Sequence, residues 1–156
     1  MGKRSDFERK PRDYYPTPIE AVKPLLVHLP EKFTFAEPCA GDGRLINHLT
    51  ENGGEVRYAY DIEPQSDWVK ERDALSQGYT QCDYIITNPP WNRKILHPMI
   101  DHFIDFKPTW LLFDSDWMHT KQSIPYMKYL SKVVSIGRVK WIEGSSSVGK
   151  DNCCWY

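Results

Sequence analysis

The chain has 156 residues, 20 Lys and Arg against 21 Asp and Glu, a formal net charge of −1, and 40% hydrophobic residues. The length and composition predict a single domain with one core. Because the net charge is slightly negative, overall charge gives no reason to expect nucleic-acid binding. The four cysteines form no CxxC pair, and neither a signal peptide nor a membrane-length apolar run is visible. We therefore expect a reduced, cytosolic protein without a zinc site or a membrane contact.

The first segment differs from the rest of the chain in charge. Residues 1–13 contain five basic and two acidic side chains before Asp13 and show no apolar periodicity. We expect a flexible basic arm, which is either a solvated terminus or a contact for phosphates. The remaining residues, 14–156, are expected to form the single folded domain.

A helix is predicted to follow Thr17, which is a candidate N-cap with Pro18 in the first helical position and Glu20 close to a capping box. Its apolar face is formed by residues spaced three and four apart, namely Ile19, Val22, Leu25, Leu26 and Leu29. Pro24 is expected to strain this helix. A short strand over residues 33–36 then leads into a glycine-containing loop over residues 37–43.

Strands and helices are predicted to alternate along the rest of the chain. A second helix is followed by a strand over 56–60 that ends at Asp61, and then by a short helix around 66–71. Four more strands are predicted, over 84–87, 110–113, 133–136 and 153–156. Helices are expected over roughly 93–105 and around Pro125, and residues 143–152 are a polar loop. This alternation predicts an α/β fold with an open, mostly parallel sheet and helices on both faces.

The residues with chemical potential fall at the ends of predicted strands. They are Glu37, Gly41, Asp61, Asp73 and Asn88. Because ligands bind such sheets at the carboxyl ends of the strands, these residues are predicted to share one site. Asp73 is a candidate acceptor for an adenine amino group, although a cap for the turn before Leu75 explains it equally well.

The glycine loop predicts the kind of ligand. Gly41 and Gly43 permit a tight turn, and Asp61 stands 20 residues after Gly41, where dinucleotide folds place a carboxylate for ribose hydroxyls. The third glycine of a dinucleotide motif is missing, and Glu37 and Asp42 would repel a pyrophosphate. The loop suits a ligand with a cationic amine and a sulfonium, which favours S-adenosylmethionine over NAD.

The strongest signal is the tetrapeptide Asn88-Pro89-Pro90-Trp91, directly after the predicted buried strand over 84–87. Two prolines prevent the strand from continuing and stiffen the turn. The side-chain oxygen of Asn88 and the carbonyl of Pro89 can accept hydrogen bonds from a planar amine as it attacks a methyl group. Trp91 offers a face on which an extruded base can stack.

Together, the segment Glu37–Gly43 and the tetrapeptide resemble the amino-methyltransferases that modify the N6 of adenine in DNA. The resemblance implies a seven-stranded Rossmann-like methyltransferase sheet with an antiparallel last strand, and a bacterial or phage origin. It implies that Asn88, Pro89, Pro90 and Trp91 are catalytic. It also implies that S-adenosylmethionine is held by Tyr15, Pro16, Thr17, Glu37, Ala40, Gly41, Gly43, Asp61 and Asp73, and that the partner is duplex DNA with its target adenine flipped out.

Other interpretations remain open. The spacing between the two motifs leaves no room for a target-recognition domain, so the chain is expected to be a minimal catalytic domain, and the target sequence and oligomeric state are not predicted. An Asn-Pro-Pro turn also suits RNA adenine or a protein glutamine, although Trp91 favours a nucleobase. A truncated, non-catalytic homologue that binds the cofactor or DNA is the alternative from another class.

Overall fold

The computed structural model describes residues 15–142, 144–146 and 148–156. The expected basic arm over residues 1–13 lies outside the described residues, as do Glu143 and Ser147 of the predicted polar loop. The strands are β1 (Phe33–Glu37), β2 (Gly54–Asp61), β3 (Lys70–Glu71), β4 (Tyr84–Thr87), β5 (Thr109–Asp114), β6 (Val134–Arg138) and β7 (Asn152–Trp155). The α-helices are α1 (Ile19–Leu26), α2 (Arg44–Thr50), α3 (Arg93–Ile104) and α4 (Ile124–Met127).

The strands form one seven-stranded sheet in the order β3-β2-β1-β4-β5-β7-β6. The pairs from β3 through to β5 are parallel, whereas β7 is antiparallel to both β5 and β6. This arrangement confirms the predicted fold class, a Rossmann-like methyltransferase sheet with an antiparallel last strand. Because the chain leaves β1 in one direction to reach β2 and returns to its other side as β4, the sheet has a switch point at the carboxyl end of β1.

Alternate residues of the central strands face opposite layers, as the pleat of a strand requires. Phe35 packs into a core with α1 and α2, and its neighbour Ala36 packs into a core with α3. Ile86 and Ile85 divide between the same two cores. The helices therefore cover both faces of the sheet, as predicted.

Two local predictions were wrong, and a third was right only in part. The helix expected around residues 66–71 is not formed, because Lys70 and Glu71 pair with the end of β2 as the edge strand β3. The helix expected around Pro125 is formed, but it is only the four-residue α4, preceded by the 3₁₀ segment Lys121–Ser123. Thr17 does not cap α1, since Pro18 is the N-cap and no side chain closes that end. The hydroxyl of Thr17 is used elsewhere, as described below.

Candidate functional site

A pocket of about 460 Å³ opens at the carboxyl ends of β1, β2 and β4, beside the switch point of the sheet. The predicted residues that line it are Tyr15, Pro16, Thr17, Glu37, Ala40, Gly41, Asp61, Asp73, Asn88 and Pro90. Gly43, Pro89 and Trp91 do not line the pocket, although each is next in the chain to a residue that does. The fold thus brings together residues as far apart in the sequence as Tyr15 and Pro90, which are 75 positions apart.

The loop after β1 is held to the end of β2 by hydrogen bonds. Asp61 accepts from the backbone N–H of Gly41 at 2.8 Å through one oxygen and from that of Glu63 at 2.7 Å through the other. The N–H of Ala40 donates to the carbonyl of Tyr60 at 2.8 Å. Asp61 therefore orders the glycine loop in addition to lining the pocket.

Gly43 lies in the left-handed region, with φ of 88°, and is the N-cap of α2. A Cβ atom at this position would lie 2.1 Å from the indole of Trp68, which is 48% exposed. The backbone conformation therefore favours glycine at this turn, and a larger residue would also have to displace the exposed indole. Gly43 shapes the loop from behind the pocket, which explains why it does not line it.

Glu37 ends β1 at the base of the pocket and is 1% exposed. Burial raises the pKa of this carboxyl to about 8, while a hydrogen bond from the N–H of Cys39, at 2.9 Å, acts in the opposite direction. At neutral pH the group is therefore mostly protonated when no cation is beside it. A cationic ligand group would favour its ionised form.

Asp73 has the capping role that the sequence offered, and it also lines the pocket. Its Oδ1 accepts from the N–H of Leu75 at 2.9 Å and so caps the short 3₁₀ segment Ala74–Ser76. The same residue lines the pocket together with Ala74 and Leu75. The cap orders a wall of the pocket and leaves the remaining carboxylate lone pairs to face it.

The turn after β4 holds the amide of Asn88 between two partners. The indole Nε1–H of Trp91 lies 3.2 Å from Asn88 Oδ1 and also 3.2 Å from the carbonyl oxygen of Leu112. On its other side, Asn88 Nδ2 donates to the hydroxyl of Thr17 at 3.3 Å. The ring of Trp91 packs edge-to-face against Trp141, with centroids 5.9 Å apart. The amide is therefore oriented by groups from outside its own strand.

A charged pair supports this turn from the start of α3. The guanidinium of Arg93 donates to the carbonyl of Trp91 at 2.9 Å and forms an ion pair with Asp114 at the end of β5. The other oxygen of Asp114 accepts from the N–H of Trp117 at 2.9 Å and so caps the 3₁₀ segment Ser115–His119. The two strand ends, β4 and β5, are thus linked through Arg93.

The pocket is acidic in chemical character. Five carboxyl side chains line it, those of Glu37, Asp42, Asp61, Glu63 and Asp73, and no Lys or Arg is among its described lining residues. Such a lining fits the ammonium and sulfonium of S-adenosylmethionine and disfavours a pyrophosphate.

Among the residues that the structure describes, no group of three His, Cys, Asp or Glu side chains is placed to hold a metal ion. Over the same residues, no helix is long and apolar enough to cross a membrane.

Several residues of the site have no motif of their own. The apolar lining includes Leu45, Ile62, Leu75, Ile95 and Met99, and Ile62, Leu75 and Ile95 are exposed at its rim. Ile62 is adjacent to a predicted site residue, and that adjacency is the only sequence signal for it. The packing of Trp141 against Trp91 depends on a chain reversal that the sequence does not predict.

No protein-family model matches the chain. A Type II methyltransferase of Vibrio sp. (strain 343) is 27% identical in an alignment 113 residues long that covers 57% of this chain and 28% of the relative. The chain thus spans well under a third of the curated relative that it matches.

Two solved structures resemble the whole fold. A protein of Pyrococcus horikoshii assigned as an RNA methyltransferase has a TM-score of 0.67 at 15% identity, and the match covers 99% of this chain and 90% of the other. A TehB-like SAM-dependent methyltransferase of Corynebacterium glutamicum has a TM-score of 0.55 at 13% identity, covering 88% and 85%. These likenesses show that the chain has the fold of S-adenosylmethionine-dependent methyltransferases.

Proposed function

We propose that this chain transfers a methyl group from S-adenosylmethionine to the N6 amine of adenine in DNA. The observation that carries the proposal is the position of Asn88, whose oriented carboxamide lines an acidic pocket at the switch point of a methyltransferase sheet. An amide oxygen beside a site for a methyl donor has a chemical use, because it can accept a hydrogen bond from the amine that is to be methylated.

The acidic lining supports the cofactor. Glu37 is proposed to face the ammonium of the methionine part, and Asp61 and Asp73 to accept hydrogen bonds from the ribose and the adenine. The N–H of Gly41, which a phosphate-binding loop would offer to its ligand, is already donated to Asp61. When bound, S-adenosylmethionine supplies an electrophilic methyl group. The carboxylates around it supply the negative charge that holds a cation in place.

The turn supports the amine acceptor. An exocyclic base amine shares its lone pair with the ring, so it must become more tetrahedral before it can attack. Asn88 Oδ1 accepts one amine hydrogen, and the carbonyl of Pro89 is proposed to accept the other, which stabilises the developing positive charge. The proton can leave to solvent after the methyl group has been transferred, so no general base is required at this turn.

DNA is proposed as the acceptor because the segment Glu37–Gly43 and the Asn-Pro-Pro-Trp tetrapeptide resemble those of DNA adenine methyltransferases. The nearest alternative is an RNA adenine, and it is favoured by the Pyrococcus horikoshii structure, whose assigned activity is RNA methylation. A protein glutamine carries the same planar amine, but the indole of Trp91 suits a base better. A binder without turnover is the remaining alternative. It leaves the ordered amide of Asn88 without a function.

The test is methyl transfer from labelled S-adenosylmethionine by the purified protein, with duplex DNA, RNA and a glutamine peptide as separate acceptors. We expect label in DNA, recovered as N6-methyladenine after digestion to nucleosides. Label confined to RNA or peptide would assign the alternative acceptor. Cofactor binding without label in any acceptor would support the non-catalytic binder. Sequencing of the methylated DNA would then identify the target site.

A matched pair of variants tests the mechanism. Asn88→Ala is expected to abolish transfer while S-adenosylmethionine still binds, because the amide acts on the target amine. Asn47→Ala removes an exposed amide on the solvent side of α2 and is expected to leave transfer unchanged. Retained transfer by Asn88→Ala would contradict the mechanism.

A further inference from the structure

Thr17 contacts the candidate catalytic turn and not the helix that follows it. Its side chain is only 4% exposed, and its hydroxyl lies 3.3 Å from Nδ2 of Asn88, across a separation of 71 residues. The carbonyl of Thr17 lies 3.1 Å from Nε2 of His48 in α2. Because a carbonyl only accepts, this ring nitrogen must carry the proton. The short segment before α1 is thereby held against both α2 and the turn.

The chemistry of the two partners determines which way the amide of Asn88 points. An indole N–H is a donor only, so the atom of Asn88 that faces Trp91 must be its oxygen. The nitrogen then faces Thr17, whose hydroxyl can accept. The reversed amide would direct its NH₂ group at the N–H of Trp91 and lose that hydrogen bond, although the Thr17 hydroxyl could donate to the reversed oxygen. Trp91 therefore selects the amide orientation, and Thr17 anchors the NH₂ group in it.

We propose that Thr17 is a positioning residue, whose hydroxyl holds the carboxamide of Asn88 with its oxygen available to the target amine. This inference rests on the proposed function and assigns Thr17 a role different from the cofactor contact that the family resemblance implies. The amide oxygen has two lone pairs, of which Trp91 uses one. A target amine needs the second, and it is presented only while the amide keeps this orientation.

The position of Thr17 explains why its role concerns the rate and not the affinity. Its neighbours Tyr15 and Pro16 also line the pocket, and the Thr17 backbone is held through His48 independently of the side-chain hydroxyl. Removing the hydroxyl alone therefore leaves the wall of the pocket in place. It leaves the NH₂ group of Asn88 without its acceptor, so that the amide can rotate away from the reactive orientation.

Thr17→Val is the principal variant, because it keeps the branched shape and loses the acceptor. At saturating S-adenosylmethionine we expect kcat to fall about tenfold, the equivalent of one hydrogen bond, with the cofactor Kd changed less than about twofold. Thr17→Ser keeps the hydroxyl and is expected to retain most of the kcat. Thr109→Val, which removes a partly buried hydroxyl at the start of β5, is the matched control and is expected to behave as wild type.

The measurement separates the possible roles. Wild-type kcat in Thr17→Val would overturn the inference, and so would a weakened Kd with normal kcat at saturation, which would mark Thr17 as a cofactor contact. Thr17→Ala serves as a second variant without the hydroxyl should valine impair folding. The ¹H–¹⁵N signals of the Asn88 side-chain amide should change in Thr17→Val and Thr17→Ala but not in Thr17→Ser. That pattern would support the positioning role of Thr17. Absence of transfer by the wild type would instead refute the proposed function, and this inference with it.

Discussion

The indole N–H of Trp91 donates to the side-chain oxygen of Asn88 at 3.2 Å, so the last residue of the tetrapeptide orients the first. The sequence assigned Trp91 an aromatic face for a base, and that role stays a prediction. The structure adds a polar role for the same ring, because its N–H bridges Asn88 and the carbonyl of Leu112 in β5.

Trp91→Phe separates these two roles, because phenylalanine keeps an aromatic face and lacks the N–H donor. We expect kcat to fall about tenfold, as for the loss of one hydrogen bond that orients the amide, with the S-adenosylmethionine Kd unchanged. Steady-state kinetics and calorimetric titration check this. Trp110→Phe alters a buried indole in the core with α1 and is the control. Full activity of Trp91→Phe would show that only the aromatic face matters.

The buried Glu37 predicts a pH dependence of stability. Its pKa rises from 4.5 to about 8 on folding. Between those values the folded state holds one proton more than the unfolded state, so raising the pH lowers the free energy of unfolding, by up to about 1.4 kcal/mol per pH unit. Glu37→Gln removes this contribution. Urea unfolding of the ligand-free protein at pH 5.5 and 7.5 should therefore show a smaller loss of stability in the variant.

Two controls make the Glu37 experiment decisive. Glu31→Gln changes an exposed carboxyl before β1 and should keep the wild-type pH dependence. Saturating S-adenosylmethionine should reduce the wild-type loss at pH 7.5, because a bound cation favours the ionised carboxylate. Identical pH profiles for wild type and Glu37→Gln would refute the raised pKa.

Gly43→Ala is expected to destabilise the protein for two separable reasons. Alanine is strained at a φ of 88°, and its Cβ would lie 2.1 Å from the ring of Trp68. Combining Gly43→Ala with Trp68→Ala should relieve the contact and leave the conformational cost of about 1–2 kcal/mol. Urea denaturation of the two single variants and the double variant measures both parts. Additive effects of the two substitutions would show that the indole does not restrict this turn.

The ion pair between Arg93 and Asp114 is expected to contribute a coupling free energy, so that the effects of removing each residue on the free energy of unfolding are not additive. A double-mutant cycle with Arg93→Met and Asp114→Asn should give a coupling of about 1–3 kcal/mol, since both groups are largely shielded from water and make further hydrogen bonds. The pair Arg57 and Glu55 on β2 is more exposed, and its coupling should be much smaller. Equal coupling energies at the two sites would contradict a supporting role for Arg93.

The fold class and the polar residues at three strand ends of the pocket follow from the amino-acid sequence. The alternation of apolar runs with amphipathic helices predicts an open α/β sheet. In such a sheet the residues that follow β1, β2 and β4 must meet at one edge. Glu37, Asp61 and Asn88 could therefore be placed together before any contact was known, because a local pattern determines which residue ends each strand.

Only the tertiary structure decided how these groups are held. The edge strand β3 forms by pairing with the end of β2, and its two residues carry no local signal of their own. Thr17 has the local pattern of a helix cap, yet its hydroxyl meets Asn88 from 71 residues away. The raised pKa of Glu37 comes from burial by both layers of the fold. Hydrogen bonds and burial between distant segments depend on three-dimensional proximity, and periodicity along the chain does not encode that proximity.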